Sequence, residues 1–127
     1  MDGRAVNEPR TQSELDAERS VLGSVLAAGS LDVEAGHRTL ETVVATGLGP
    51  TDFYVASLGS LFASLVEIHE RGLPLDPISV AYELEQLGAE SSVLGRLHQL
   101  AHEITAITPA KRWAEIVTEA GRRRRAA

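Results

Sequence analysis

Few residues of this chain combine the type and the spacing that chemistry needs. His98 and His102 stand four apart with Glu103 beside them, the interval of two ligands on one helical face. A zinc-protease helix would carry its Glu between the histidines; here that interval reads Gln-Leu-Ala, and no third ligand is near. Both histidines are therefore expected at or near the surface, without a metal. Glu14, Asp16 and Glu18 cluster where a helix should begin, and acids there complement the helix dipole without any acid–base role. The serines lack the strand–turn–helix setting of a nucleophile. Cysteine is absent, which removes thiolate metal sites, disulfides and a cysteine nucleophile, and fits a cytoplasmic protein. The one lysine, Lys111, lies in Ala-Lys-Arg at an expected helix start, and neither GxxxxGK[ST] nor GxGxxG occurs. Gly47-Leu48-Gly49-Pro50 has no strand before it. No catalytic, cofactor-binding or metal-ligating residue is expected, and the chain reads as a non-enzyme.

The arginines are the remaining candidates. Four of them, Arg122, Arg123, Arg124 and Arg125, are consecutive. They fit either a basic helix C-terminus that favours the dipole or a set of phosphate contacts. The formal net charge of the whole chain is −6, and without the run eight basic residues face eighteen acidic ones, near −10. Such a body repels nucleic acid, and 4% aromatic residues are too few for base-stacking platforms. Nucleic-acid binding is expected to be weak or absent and confined to this tail.

The elements that position these residues read as helices. At 127 residues the chain is one domain long, with 43% hydrophobic and 24% charged residues, a globular composition. No apolar stretch is long enough to span a membrane. Residues 1–12 read as a flexible leader. Ser13 is the expected cap of a first helix whose apolar stripe is Leu15, Val21, Leu22, Val25 and Leu26, with Gly29 as its stop. Gly23 inside it suggests a close helix crossing. A second helix is expected over Leu31 to Thr46 on Leu40, Val43 and Val44. A third runs from Asp52 to Arg71, with Tyr54, Leu58, Leu61, Phe62, Leu65, Ile68 and His69 on one face and Gly72 as its end. Asp76-Pro77 opens a fourth, which faces Val80, Leu84 and Leu87 inward and closes at Gly88. A fifth spans Ser92 to Ala106, and Thr108-Pro109 starts a sixth. No segment alternates long enough to make a strand. The fold class is all-α with about six helices. Residues 13–90 form the expected globular bundle, 91–121 an antiparallel helical hairpin, and 122–127 a basic tail.

With the helices placed, the chain resembles the N-terminal domain of bacterial replicative helicases of the DnaB type. Ala17-Glu18, Val21-Leu22-Gly23 and Leu26 are similar to the opening of that domain. Asp52-Phe53-Tyr54, then Leu61-Phe62, then Gly72-Leu-Pro-Leu-Asp76, and finally Leu87 and Gly88 resemble its middle. Leu97-His-Gln-Leu100 and Ala114-Glu-Ile-Val117, with Glu119 and the Arg run, resemble its terminal hairpin. Three features depart from the family: Leu58 stands where a His is frequent, Thr105-Ala106 where Pro-Thr is, and the link before Asp52 is longer. The RecA-like ATPase that normally follows lies outside these residues, so the chain reads as a fragment or as a stand-alone relative.

The resemblance implies a collar module of the helicase that self-associates and contacts primase or a helicase loader, without hydrolysing ATP. The alternatives are a stand-alone regulator docking on a helicase or primase, and a small DNA-binding protein acting through the Arg tail. Two helices meet along one seam, and a hairpin leaves some of Leu94, Leu97, Leu100, Ile104, Trp113, Ile116 and Val117 to pack either on the first four helices, as core, or on another chain. These residues are the expected self-association interface, with Trp113 as its anchor.

Overall fold

The computed structural model describes residues 11–103 and 105–126. Among them are six α-helices and no strand. The all-α expectation and the number of helices stand. No helix among the described residues is long and apolar enough to cross a membrane.

Helix α1 (Gln12–Leu31) is capped by Thr11, whose hydroxyl accepts the Glu14 N–H at 3.2 Å. The cap is thus Thr11 and not Ser13: both stand three residues before an acid, but Thr11 is followed by the preferred Glu and Ser13 already lies inside the helix. Thr11 and Gln12 belong to this helix start and not to a leader; residues 1–10 lie outside the described residues. Nor does the helix stop at Gly29. A side chain there would stand 2.7 Å from the Leu75 carbonyl carbon, so this glycine admits a crossing backbone while the helix runs on. Gly23 likewise faces a connector, with Thr105 against it, and not a crossing helix. Asp32 then ends α1 and begins α2 (Val33–Ala45). Its N–H donates to Ala28 C=O at 3.3 Å, and its carboxylate accepts from Ala35 N–H at 2.7 Å. Leu40 and Val43 of α2 are buried as expected, whereas Val44 is exposed.

A single 3-10 turn, Pro50–Asp52, precedes α3 (Ala56–Glu70). The third helix therefore begins at Ala56 rather than Asp52. Asp52 is consumed by its own turn, where Oδ2 accepts the Gly49 N–H at 2.8 Å. Leu58, Leu61, Phe62, Leu65 and Ile68 are buried, while Tyr54 lies ahead of the helix and is exposed. At its end Gly72, with φ 72°, lets Leu73 N–H reach Ile68 C=O and its own N–H reach His69 C=O, a Schellman closure. Asp76 caps α4 (Pro77–Gln86) by accepting the Ser79 N–H at 3.1 Å, with Pro77 at N1. Gly88 closes α4 in the same left-handed way. Leu87 sits past the last turn and is exposed, contrary to the inward face expected for it.

The chain ends in α5 (Ser91–Ala101) and α6 (Ala110–Ala126). Within this chain they do not form a hairpin. α5 packs on α3, α1 and α4, whereas α6 packs on α1, the 3-10 turn and α2. The reason lies between them. α5 stops five residues short of Ala106, and the connector crosses α1, with Thr105 over Gly23 and the Ser24 hydroxyl 2.7 Å from Ala106 C=O. All five other helices touch α1, which is buried without a break from Val21 to Leu26.

Candidate interaction surface

The sequence left two uses open for the Arg run, and the structure gives these residues internal partners. α6 lies against α1 and the 3-10 turn closely enough that a side chain at Gly121 would come within 2.6 Å of Asp52 Cα. Beyond Gly121, Arg123 pairs with Glu14 at the start of α1. Arg124 Nη2 donates to Asp52 C=O at 2.6 Å, and its guanidinium lies 5.6 Å from the centre of the Tyr54 ring. Arg125 reaches Thr51 C=O at 3.2 Å and forms a 2.8 Å ion pair with Asp52 Oδ1, without hydrogen-bond alignment. Arg122 alone points along its own helix, to Glu119 at 3.4 Å. Three of the four candidate phosphate contacts are therefore engaged as a clamp on the body of the domain. The sequence did not signal this use, because Glu14 and Asp52 are distant in the chain and read as ordinary helix-start acids.

Glu18 completes the acidic side of this contact. Buried in α1, it accepts the backbone N–H groups of Tyr54 at 2.7 Å and Val55 at 3.1 Å, where the chain enters α3. Burial raises its pKa above the ordinary glutamate value. The two N–H groups and Arg124 work against that rise, and the nearby Glu14 adds to it.

The expected interface residues divide by burial. Leu97, Leu100 and Val117 are no more than 2% exposed and fill the core of the single chain, so they are not available to a partner. Their stripes face α1 and its neighbours because the hairpin that would have turned them outward is not formed. Ile104 lies outside the described residues. Leu94, Trp113 and Ile116 are only partly buried against the core. Trp113 and Ile116 line an open groove of about 230 Å³ between α6 and α1, opposite Ser13, Asp16, Ala17 and Ser20. An aromatic and a β-branched side chain on one wall, with small and polar residues on the other, form a cleft with an apolar anchor and a hydrogen-bonding rim.

His98 and His102 are exposed on and just after α5. Among the described residues no group of three or more His, Cys, Asp or Glu is arranged to hold a metal. The sequence did not single out His37 and His69, which stand 32 residues apart and come into contact.

Residues 10–119 match the family of the DnaB-like helicase N terminal domain. The chain belongs to this family. It is 31% identical over 125 residues to the replicative DNA helicase DnaB of Leifsonia xyli subsp. xyli. That match takes in 93% of this chain and 25% of the relative, so the chain spans about a quarter of the length of that helicase. The crystal structure of the N-terminal domain of DnaB helicase from Mycobacterium tuberculosis is similar in fold. Its TM-score is 0.73 at 30% identity, over 93% of this chain and 76% of that one.

The residues that carried the DnaB resemblance prove to be the joints of the domain. Glu18 holds the entry to α3, Asp52 holds the 3-10 turn and the α6 clamp, Gly72 closes α3, and Asp76 caps α4.

Proposed function

We propose that this chain is a non-catalytic assembly and protein-interaction module of a replicative DNA helicase. It self-associates through the exposed α1–α6 face and contacts a primase or a helicase loader. Membership in the DnaB N-terminal family supports the class of function. The observation that carries the surface assignment is Trp113, a large aromatic that the fold leaves partly uncovered beside Ile116 in the groove. Trp is enriched among residues that dominate binding energy. Without the Arg run the body is near −10 and repels a polyanion, and Arg123, Arg124 and Arg125 already have acidic or carbonyl partners. That disfavours a DNA-binding role for the tail.

Sedimentation velocity on the wild type and on Trp113→Ala tests the self-association. The wild type should sediment as a dimer or larger at tens of micromolar. The variant should remain folded by circular dichroism and lose about 2 kcal/mol of association, roughly a thirty-fold weakening. A wild type that stays monomeric at high concentration overturns the reading, as does a Trp113→Ala variant that unfolds instead of dissociating.

A further inference from the structure

Two histidines from different helices meet on the side of the domain formed by α2 and the end of α3. His37 and His69 have ring centroids 4.5 Å apart, tilted by 42°, with their Nδ1 atoms in direct contact. Each ring also has an oxygen near its far nitrogen. His37 Nε2 lies 2.9 Å from Leu73 C=O, and His69 Nε2 lies 3.4 Å from Glu41 Oε2. A carbonyl only accepts, so the proton of a neutral His37 ring belongs on Nε2; the Glu41 carboxylate, near His69 Nε2 but not aligned as a hydrogen bond, favours the same tautomer there by its charge. Both Nδ1 lone pairs then point at one another. Two facing lone pairs repel unless a proton or a metal cation stands between them. An acceptor behind the outer N–H is also the arrangement that fixes the tautomer and orientation of a metal-ligating histidine and raises its basicity.

We propose that His37 Nδ1 and His69 Nδ1 form a two-histidine site for a divalent transition-metal ion of the zinc, nickel or copper class. Imidazole nitrogens suit these ions, whereas magnesium and calcium take oxygen ligands. Both rings are half-buried, the His69 side chain being 21% exposed, so water has access to the remaining coordination positions. Seating an ion at about 2.0–2.1 Å from each nitrogen requires the rings to part slightly from their present contact. His69 belongs to the last turn of α3, just before the Gly72 turn. Among the described residues no third protein ligand is placed there, so the affinity belongs to the micromolar class rather than to that of a closed structural zinc site. A bound ion would staple α2 to α3, independently of any use of the α1–α6 face.

The test is a calorimetric titration of Zn²⁺ into the full chain carrying His98→Ala and His102→Ala, which removes the two exposed histidines as competitors. One equivalent should bind with micromolar affinity, and the affinity should fall on acidification because the ligands must be deprotonated. Adding His37→Gln or His69→Gln to that background should weaken binding at least tenfold. Because either change also touches the α2–α3 contact, ¹⁵N shifts of the ring nitrogens in the wild type give a reading that needs no substitution. Zn²⁺ should move Nδ1 of His37 and His69 in a saturable way. Three results overturn the proposal: no saturable uptake, uptake that survives either glutamine substitution, or a pair whose Nδ1 signals answer to pH but not to Zn²⁺.

Discussion

Glu18 anchors the entry to a helix to which it does not belong. α3 has no side-chain cap of its own, and the Glu18 carboxylate from α1 meets the two N–H groups at its entry. Glu18→Ala leaves both donors without a partner and should cost about 2–4 kcal/mol in urea melts. The sign of its pH dependence follows from burial, which raises its pKa above the ordinary glutamate value. The folded chain keeps the Glu18 proton to a higher pH than the unfolded chain does. This group's stabilising share is complete below the unfolded-state value and is lost as the pH rises through the folded-state value. Glu18→Gln removes the titration, so the wild type should lose stability relative to the glutamine variant as the pH rises from the ordinary glutamate range through the raised folded-state value. Asp76 behaves oppositely. Burial pushes its pKa up, but the side-chain and backbone hydrogen bonds of the α4 cap outweigh it and hold the net value down. Its share is present above the unfolded-state value and is lost as the pH falls.

Among the elements, α6 is the one held at its far end. Gly121 and the clamp behind it join its last turns to Asp52, Thr51 and Glu14. Gly121→Ala would drive a methyl group into the Asp52 backbone, which has no flexible end to move, and should cost about 1–3 kcal/mol as α6 lifts away. Replacing Arg123, Arg124 and Arg125 together by Ala should cost about 1–3 kcal/mol, and less at high salt; thermal melts at two ionic strengths check both. Legibility in the sequence followed the range of the interaction. Asp76-Pro77, Gly72 and Gly88 mark helix ends by local geometry, and the sequence placed them correctly. Gly29 was misplaced because its role is steric, to admit Leu75 from 46 residues away, and local pattern reads any such glycine as a stop. The run of arginines was visible; their partners at Glu14 and Asp52 were not, because nothing in the spacing links the two ends of the chain. His37 and His69 escaped for the same reason.

At the scale of the whole molecule, the clamp sets how the surface meets other molecules. Four free arginines would give a log–log salt slope near −4 for duplex DNA binding. With three engaged, only Arg122 is left, and any binding should show a slope of about −1. Fluorescence anisotropy over a salt series measures it, and a slope near −4 would mean that the clamp opens on DNA. The groove containing Trp113 lies between the same two helices, so loosening α6 by the triple arginine substitution should also weaken self-association. Sedimentation of that variant beside Trp113→Ala compares the two routes.

Asp32 lets α1 pass into α2 with no connecting residue beyond itself. Contacts across that corner join residues close in sequence, whereas the pairing of Arg123 with Glu14 closes nearly the whole chain. Closing a short loop sacrifices little chain entropy, so the corner should form early in folding and the docking of α6 late. Leu40→Ala in the corner should therefore slow refolding, while Arg123→Ala should leave refolding nearly unchanged and hasten unfolding. The two limbs of a chevron plot separate these effects. The elbow at Asp32 would then set how fast the domain assembles, and the clamp at its far end how long it stays assembled.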